Sequence, residues 1–252
     1  MYTSAIALLI VMLVIWLISL PLRDASIVDL VWGLGFVLVG WIHFAHATAL
    51  TTQQLLLLSC VTIWGVRLSA YLAWRNVGKG EDKRYQRMRE SMQPYFGWKS
   101  LFVVFLLQGV LIWVISLPLQ LSFSPQVLAE GWTNWFIPGL VVWGVGFLFE
   151  SVGDFQLARF QSIPHNKGKV LKQGLWKYTR HPNYFGDFLQ WWGLYLLAIS
   201  HGQHVWTIFS PLLMSFLLIK VSGVTLLESD LEHSKPEYAE YQKQTNAFFP
   251  WF

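Results

Sequence analysis

Long apolar runs separated by short polar stretches dominate the chain. Seven of them, roughly 2–20, 27–46, 54–74, 98–121, 133–158, 184–200 and 205–227, approach the about 20 apolar residues that a helix needs to cross a bilayer core. In a soluble domain the polar positions would be interleaved at helical or strand period; here they are swept into the gaps between runs. The pattern predicts an all-α fold, a polytopic integral membrane bundle of about seven transmembrane helices forming one domain over 1–252.

Composition agrees with that reading. Of 252 residues 54% are hydrophobic and only 13% are charged, where soluble domains average about a quarter charged. A soluble globule is excluded. One cysteine, Cys60, inside an apolar run, excludes a disulfide scaffold and reads as packing. The net charge of +4 would suit nucleic acid, but its placement points to a lipid membrane instead. Arg23, the stretch from Arg75 to Lys99, the stretch from Arg159 to Arg180, and the tail carry the basic residues, whereas 46–53, 121–132 and 200–204 contain none. Such alternation predicts the N-terminus outside and the C-terminus in the cytoplasm, with no nucleic-acid partner. The first run lacks a basic leader and an A-x-A-like cleavage site, so it reads as a retained span rather than a signal peptide. A bacterial inner membrane is the expected location, with the endoplasmic reticulum membrane as the alternative.

Ionisable groups at membrane depth are functional candidates because they are costly unless they face the bundle interior. Asp29, Arg67, Glu150, Asp154, Asp187, Lys220 and Glu228 form this set. Most fall near one side, which suggests a polar cavity taking a charged cofactor from water and a lipophilic substrate from the bilayer. Plainer readings stand beside this. Arg67, Arg75 and Lys220 snorkel to the interface in one, and Asp29 and Asp154 are helix-end carboxylates in another. Glu150 and Asp154 lie i, i+4 on one face, so they either share a proton or need a cation. His43 and His46 read as interfacial, as do Trp132 and Trp135. No metal-ligand spacing occurs apart from His201 and His204 in a short loop, and hydrolase, P-loop and dinucleotide fingerprints are absent.

Residues 174–193 read GLWKYTRHPNYFGDFLQWWG. Pro182 suits the first helical position, which would gather Arg180, His181 and Asn183 at a helix N-terminus, a ready anion site. The alternative is a basic interfacial loop with a capped helix. Gly186 would admit a planar group or a second helix at close range.

The R-H-P-N-Y-x-G-D run, the preceding G-L-W and a closing pattern (Glu228, Asp230, Tyr238, Tyr241, Pro250) resemble the C-terminal half of the steroid 5α-reductase and sterol-reductase clan. The chain resembles most closely a bacterial-type membrane family of unassigned function within it, through D-x-x-W-G (Asp29, Trp32, Gly33), W-G-x-R-L (Trp64, Gly65, Arg67, Leu68) and G-K-G-E-D-x-R-Y (Gly78 to Tyr85). The resemblance implies an oxidoreductase in which NADPH reduces a carbon–carbon double bond of a steroid-like or isoprenoid substrate. It implies a cofactor-binding half at about 133–252 and cofactor contacts from Arg67, Arg75, Asp154, Arg180, His181, Asn183, Tyr184, Asp187 and Glu228. Trp64 stands where the steroid enzymes carry a tyrosine, and an indole cannot protonate an enolate. Asp29, Tyr71 or Tyr184 would then supply the catalytic proton. The same clan includes methyltransferases that bind S-adenosylmethionine, the alternative cofactor; Asp187 directly after Gly186 argues for the reductases. A non-enzymatic membrane scaffold or transporter is the third reading.

Overall fold

The computed structural model describes residues 1–47, 50–124, 134–199, 204–221, 224, 228, 231, 235 and 237–250. Among them the chain is all helix, with no strand. Five helices are long and apolar enough to cross a membrane: α1 (Tyr2–Leu22), α2 (Ala25–Ala45), α3 (Thr52–Asn76), α5 (Phe96–Ile115) and α7 (Phe136–Ser162). Between α3 and α5 lies a short polar helix, α4 (Lys83–Ser91), and after α5 a short helix, α6 (Leu117–Ser122). The sixth and seventh apolar segments form shorter helices, α8 (Pro182–Ala198) and α9 (Val205–Val221). The tail ends in α10 (Tyr238–Gln244). Trp132, His201 and Asp230 lie outside the described residues.

Two compact units result, Met1–Gly131 with His201–His204, and Trp132–Ser200 with Val205–Phe252. In the first, α1 buries one narrow stripe, Ser4, Leu8, Met12, Trp16 and Ser19. Ile6, Ile10, Val14 and Leu17 on its other faces are exposed. A helix that is apolar all round but buries only a stripe fits a lipid surround. The polar start of α3 is fixed by a capping box, Thr51 with Gln54. Its partner α2 crosses it where Gly33 meets Gly65: a Cβ on Gly33 would stand 2.6 Å from the Gly65 carbonyl oxygen. Trp64 is fully buried beside this crossing and packs edge-on against Phe36 at 5.7 Å.

The G-K-G-E-D-x-R-Y stretch turns through positive φ at Gly78 and Gly80 and folds back on the first turns of α2. The Glu81 carboxylate receives the Ala25 amide at 2.8 Å and two Arg89 donors at 2.8 Å each. Arg84 donates to Asp29 Oδ2 at 2.9 Å and Tyr85 to Asp29 Oδ1 at 2.6 Å. Two motifs that are far apart in sequence are therefore one interlocked cluster within this unit.

In the second unit, α7 and α8 run antiparallel and form the main packing pair. Gly139, Gly146 and Gly153 recur every seven residues on α7, facing Gly186 and Gly193 on α8. A Cβ on Gly146 would stand 2.6 Å from the Gly186 carbonyl oxygen, and one on Gly193 would stand 2.5 Å from the Trp143 nitrogen. Small residues let two backbones approach this closely, which is how helices associate where lipid removes the usual hydrophobic drive. The opposite face of α7, Val141, Val145, Leu148, Val152 and Phe155, is exposed.

Candidate functional site

The close α7–α8 approach buries polar side chains in the seam. Glu150 and Asp154 are each 3% exposed. Gln190 Nε2 donates to Glu150 Oε2 at 2.6 Å, and Asn183 Nδ2 donates to Asp154 Oδ1 at 3.0 Å. The two carboxylates that share a helix face therefore each receive an amide donor from α8. Asp187, one turn on from Asn183, is buried. Two acceptors in the seam, Asn183 Oδ1 and Gln190 Oε1, are buried and lack a hydrogen-bond partner among the described residues.

Pro182 opens α8 as its sequence predicts. The donors just before it converge on an anion, and that anion belongs to the chain itself. Arg180 grips Glu228 with two hydrogen bonds, Nε to Oε1 at 2.7 Å and Nη2 to Oε2 at 2.9 Å. Its remaining nitrogen reaches the carbonyls of Gln242 at 3.1 Å and Thr245 at 2.5 Å. His181 Nε2 lies 3.1 Å from Glu228 Oε1, and Tyr238 donates to the same oxygen at 3.3 Å. Thr179 binds the Ala247 and Phe248 carbonyls, the Arg180 amide binds the Asn246 carbonyl, and Tyr241 donates to the Trp176 carbonyl. The side chains of Phe248 and Phe249 then close over Phe185 and Phe188. The R-H-P segment and the closing tail pattern are thus two halves of one clasp. In this arrangement the guanidinium of Arg180 faces the tail, not an open anion site.

Burial alone would push the Glu228 carboxyl up, but the hydrogen bonds from His181 and Arg180 and the Arg180 charge outweigh it and hold it at about 2, below its ordinary 4.5. A depressed acid contributes stability above its unfolded value that fades as pH falls toward the folded one. The tail clasp is therefore expected to be complete above about pH 4.5 and to loosen progressively between 4.5 and 2. Hydrogen exchange of residues 238–249 in detergent across that range checks this; protection that stays constant down to pH 2 would contradict it.

Asp154, Arg180, His181, Asn183, Tyr184, Asp187 and Glu228 all belong to the second unit, and the structure divides them into the seam and the clasp. Tyr184 lies between, its ring 5.9 Å from His181 and packed on the Phe185, Val224 and Phe248 cluster. Asp29, Arg67, Tyr71 and Arg75 belong to the first unit. Tyr71 is flanked along one face of α3 by the Arg67 guanidinium at 5.4 Å and that of Arg75 at 5.6 Å from its ring. Asp29 accepts from both Arg84 and Tyr85, which ties the stretch from Gly78 to Tyr85 to the start of α2. Gln190 escaped the sequence reading because a glutamine in an apolar helix carries no motif. The seven-residue glycine spacing was the available signal for the seam that buries it. Among the described residues no group of three or more His, Cys, Asp or Glu is placed to hold a metal.

An all-helical membrane protein with a buried carboxylate–amide seam is the class that fold and site define. The chain belongs to the family described as "Protein of unknown function (DUF1295)", whose pattern matches residues 15–245. It is 24% identical over 270 residues to the uncharacterized protein C594.04c of Schizosaccharomyces pombe, covering 94% of this chain and 76% of that one. It is 29% identical over 86 residues to 3-oxo-5-alpha-steroid 4-dehydrogenase 1 of Mus musculus, covering 33% of this chain and 34% of that protein. The Rattus norvegicus protein of the same name matches to the same extent, 29% over 86 residues. The chain thus spans about a third of the length of the steroid dehydrogenases it matches. No solved structure matches it.

Proposed function

We propose that this chain is a membrane-embedded reductase that uses NADPH to reduce a carbon–carbon double bond in a lipophilic substrate, steroid-like or isoprenoid, drawn from the bilayer. The observation that carries this reading is the partnerless, buried Asn183 Oδ1, fixed in orientation by the bond from its own Nδ2 to Asp154 and one turn from the buried Asp187. A buried acceptor without a donor is costly, and the carboxamide N–H of a nicotinamide is a donor that fits it. Partial similarity to the steroid dehydrogenases supports the reaction class.

When bound, NADPH supplies the hydride. The protein's share is orientation and proton supply. Asn183 and Asp187 hold the nicotinamide end, and Asp154 is a positioning residue that sets the Asn183 amide. Tyr184 gives the proton, because it shares a unit with Asn183 and Asp187 and its phenol O–H is a donor. General acid help of this kind contributes about 10²–10⁴ in rate. Arg180, His181 and Glu228 act indirectly, by fixing the tail against α8.

The test is to titrate the detergent-purified protein separately with NADPH and S-adenosylmethionine, following nicotinamide fluorescence and thermal stability. Saturable binding of NADPH is expected, weakened about tenfold or more in Asn183→Ala. Binding of S-adenosylmethionine alone would replace the reductase reading with a methyltransferase one.

A further inference from the structure

A cavity of about 390 Å³ lies at the Ser162 end of α7, between that helix end and the loop that follows. Its walls are of two kinds. Leu157, Phe160 and Leu171 are apolar, while three lysines, Lys167, Lys169 and Lys235, belong to the same lining. No carboxylate lines it among the described residues. Lys235 is anchored there by donating to the Lys169 carbonyl at 2.8 Å, which leaves two of its three protons available. Burial lowers its pKa, because a half-buried ammonium loses hydration.

The position of the cavity identifies its ligand. Val141, Val145, Leu148, Val152 and Phe155 form the exposed apolar stripe of α7. That stripe ends at the exposed Arg159 and leads to Ile163, itself exposed at 46% and part of the cavity wall. A ligand seated here would lay hydrocarbon along α7 and place its charge among the lysines. From this geometry we propose that the cavity binds the phosphate group of an anionic phospholipid. A soluble phosphate would use the lysines but not the apolar wall. Basic pockets at membrane-helix ends recognise lipid headgroups by the same attraction, each lysine contributing about fivefold in affinity. The site is separate from the α7–α8 seam and does not depend on the reading of the seam as a cofactor site.

Wild-type protein in mixed nanodiscs of phosphatidylglycerol and phosphatidylcholine should retain phosphatidylglycerol preferentially in native mass spectrometry. The triple variant Lys167→Gln, Lys169→Gln, Lys235→Gln should lose most of that preference, by about tenfold or more. The corresponding triple Lys→Arg variant should keep it, which separates loss of charge from loss of folding. A control carrying Lys79→Gln, Lys83→Gln and Lys99→Gln removes the same charge elsewhere. Equal loss of preference in that control would reduce the effect to diffuse attraction and overturn the site. Inorganic phosphate or NADPH displacing the retained lipid, or losing affinity itself in the Lys→Gln triple, would assign the cavity to a soluble phosphate and also overturn the proposal.

Discussion

Replacing Gly186 with alanine is expected to unseat α8 from α7. The added methyl would meet the backbone nitrogen and Cα of Glu150 and the carbonyl oxygen of Gly146, none of which can rotate away as a side-chain end could. Overpacking usually costs about 1–3 kcal/mol, and a rigid backbone obstacle places this case at or above the top of that range. In a chain of this size the midpoint of thermal unfolding should fall by roughly 6–12 °C. The Gln190–Glu150 hydrogen bond starts one turn further along α8, so it is expected to break as the helices part. Gly144 provides the control, because a Cβ there meets nothing within 4 Å. Gly144→Ala should change stability by less than about 1 kcal/mol. Equal behaviour of the two variants would mean that the glycine seam does not hold this unit together.

Glu228→Ala should release the tail. The substitution leaves the Arg180 guanidinium with its carboxylate partner gone, while its side chain is only 10% exposed. Breaking a buried ion pair from one side costs about 3–5 kcal/mol, because the remaining charge is stranded. Hydrogen exchange in residues 238–249 should accelerate by about a hundredfold or more, and the Phe248 and Phe249 contacts on Phe185 and Phe188 should open with it. A second variant separates the pair from the fold. Combining Arg180→Met with Glu228→Met removes both charges and should recover a large part of the lost protection, since a buried pair replaced by apolar groups is often nearly neutral. Unchanged exchange in Glu228→Ala would show that the tail is held by its aromatic contacts alone.

Much of the architecture was legible one helix at a time. The apolar run that becomes α1, and Pro182 at the start of α8, follow from composition and backbone chemistry within single segments. The candidate site was only partly legible, because a motif names residue types without naming their partners. From the sequence Arg180 and His181 read as an anion site or as part of a basic interfacial loop, and the clasp they form is in neither reading. Only the return of the chain to bring Glu228, Tyr238 and the 242–246 carbonyls beside them creates it. Asp29 was legible as a charge at depth, but not as the anchor of Arg84 and Tyr85.

The sequence by itself determined that this is an all-helical membrane protein, because an apolar run of near-bilayer length has one way to satisfy its backbone in lipid. It also determined which segments hold the costly polar groups, because such residues survive in an apolar chain only where something compensates them. What the tertiary structure decided is the pairing: Glu150 with Gln190, Asp154 with Asn183, and Arg180 with Glu228. Hydrogen bonds and ion pairs act over about 3 Å, so the partner of a buried polar group is fixed by how closely two backbones approach. Here that approach depends on glycines that face one another only after α7 and α8 have come together.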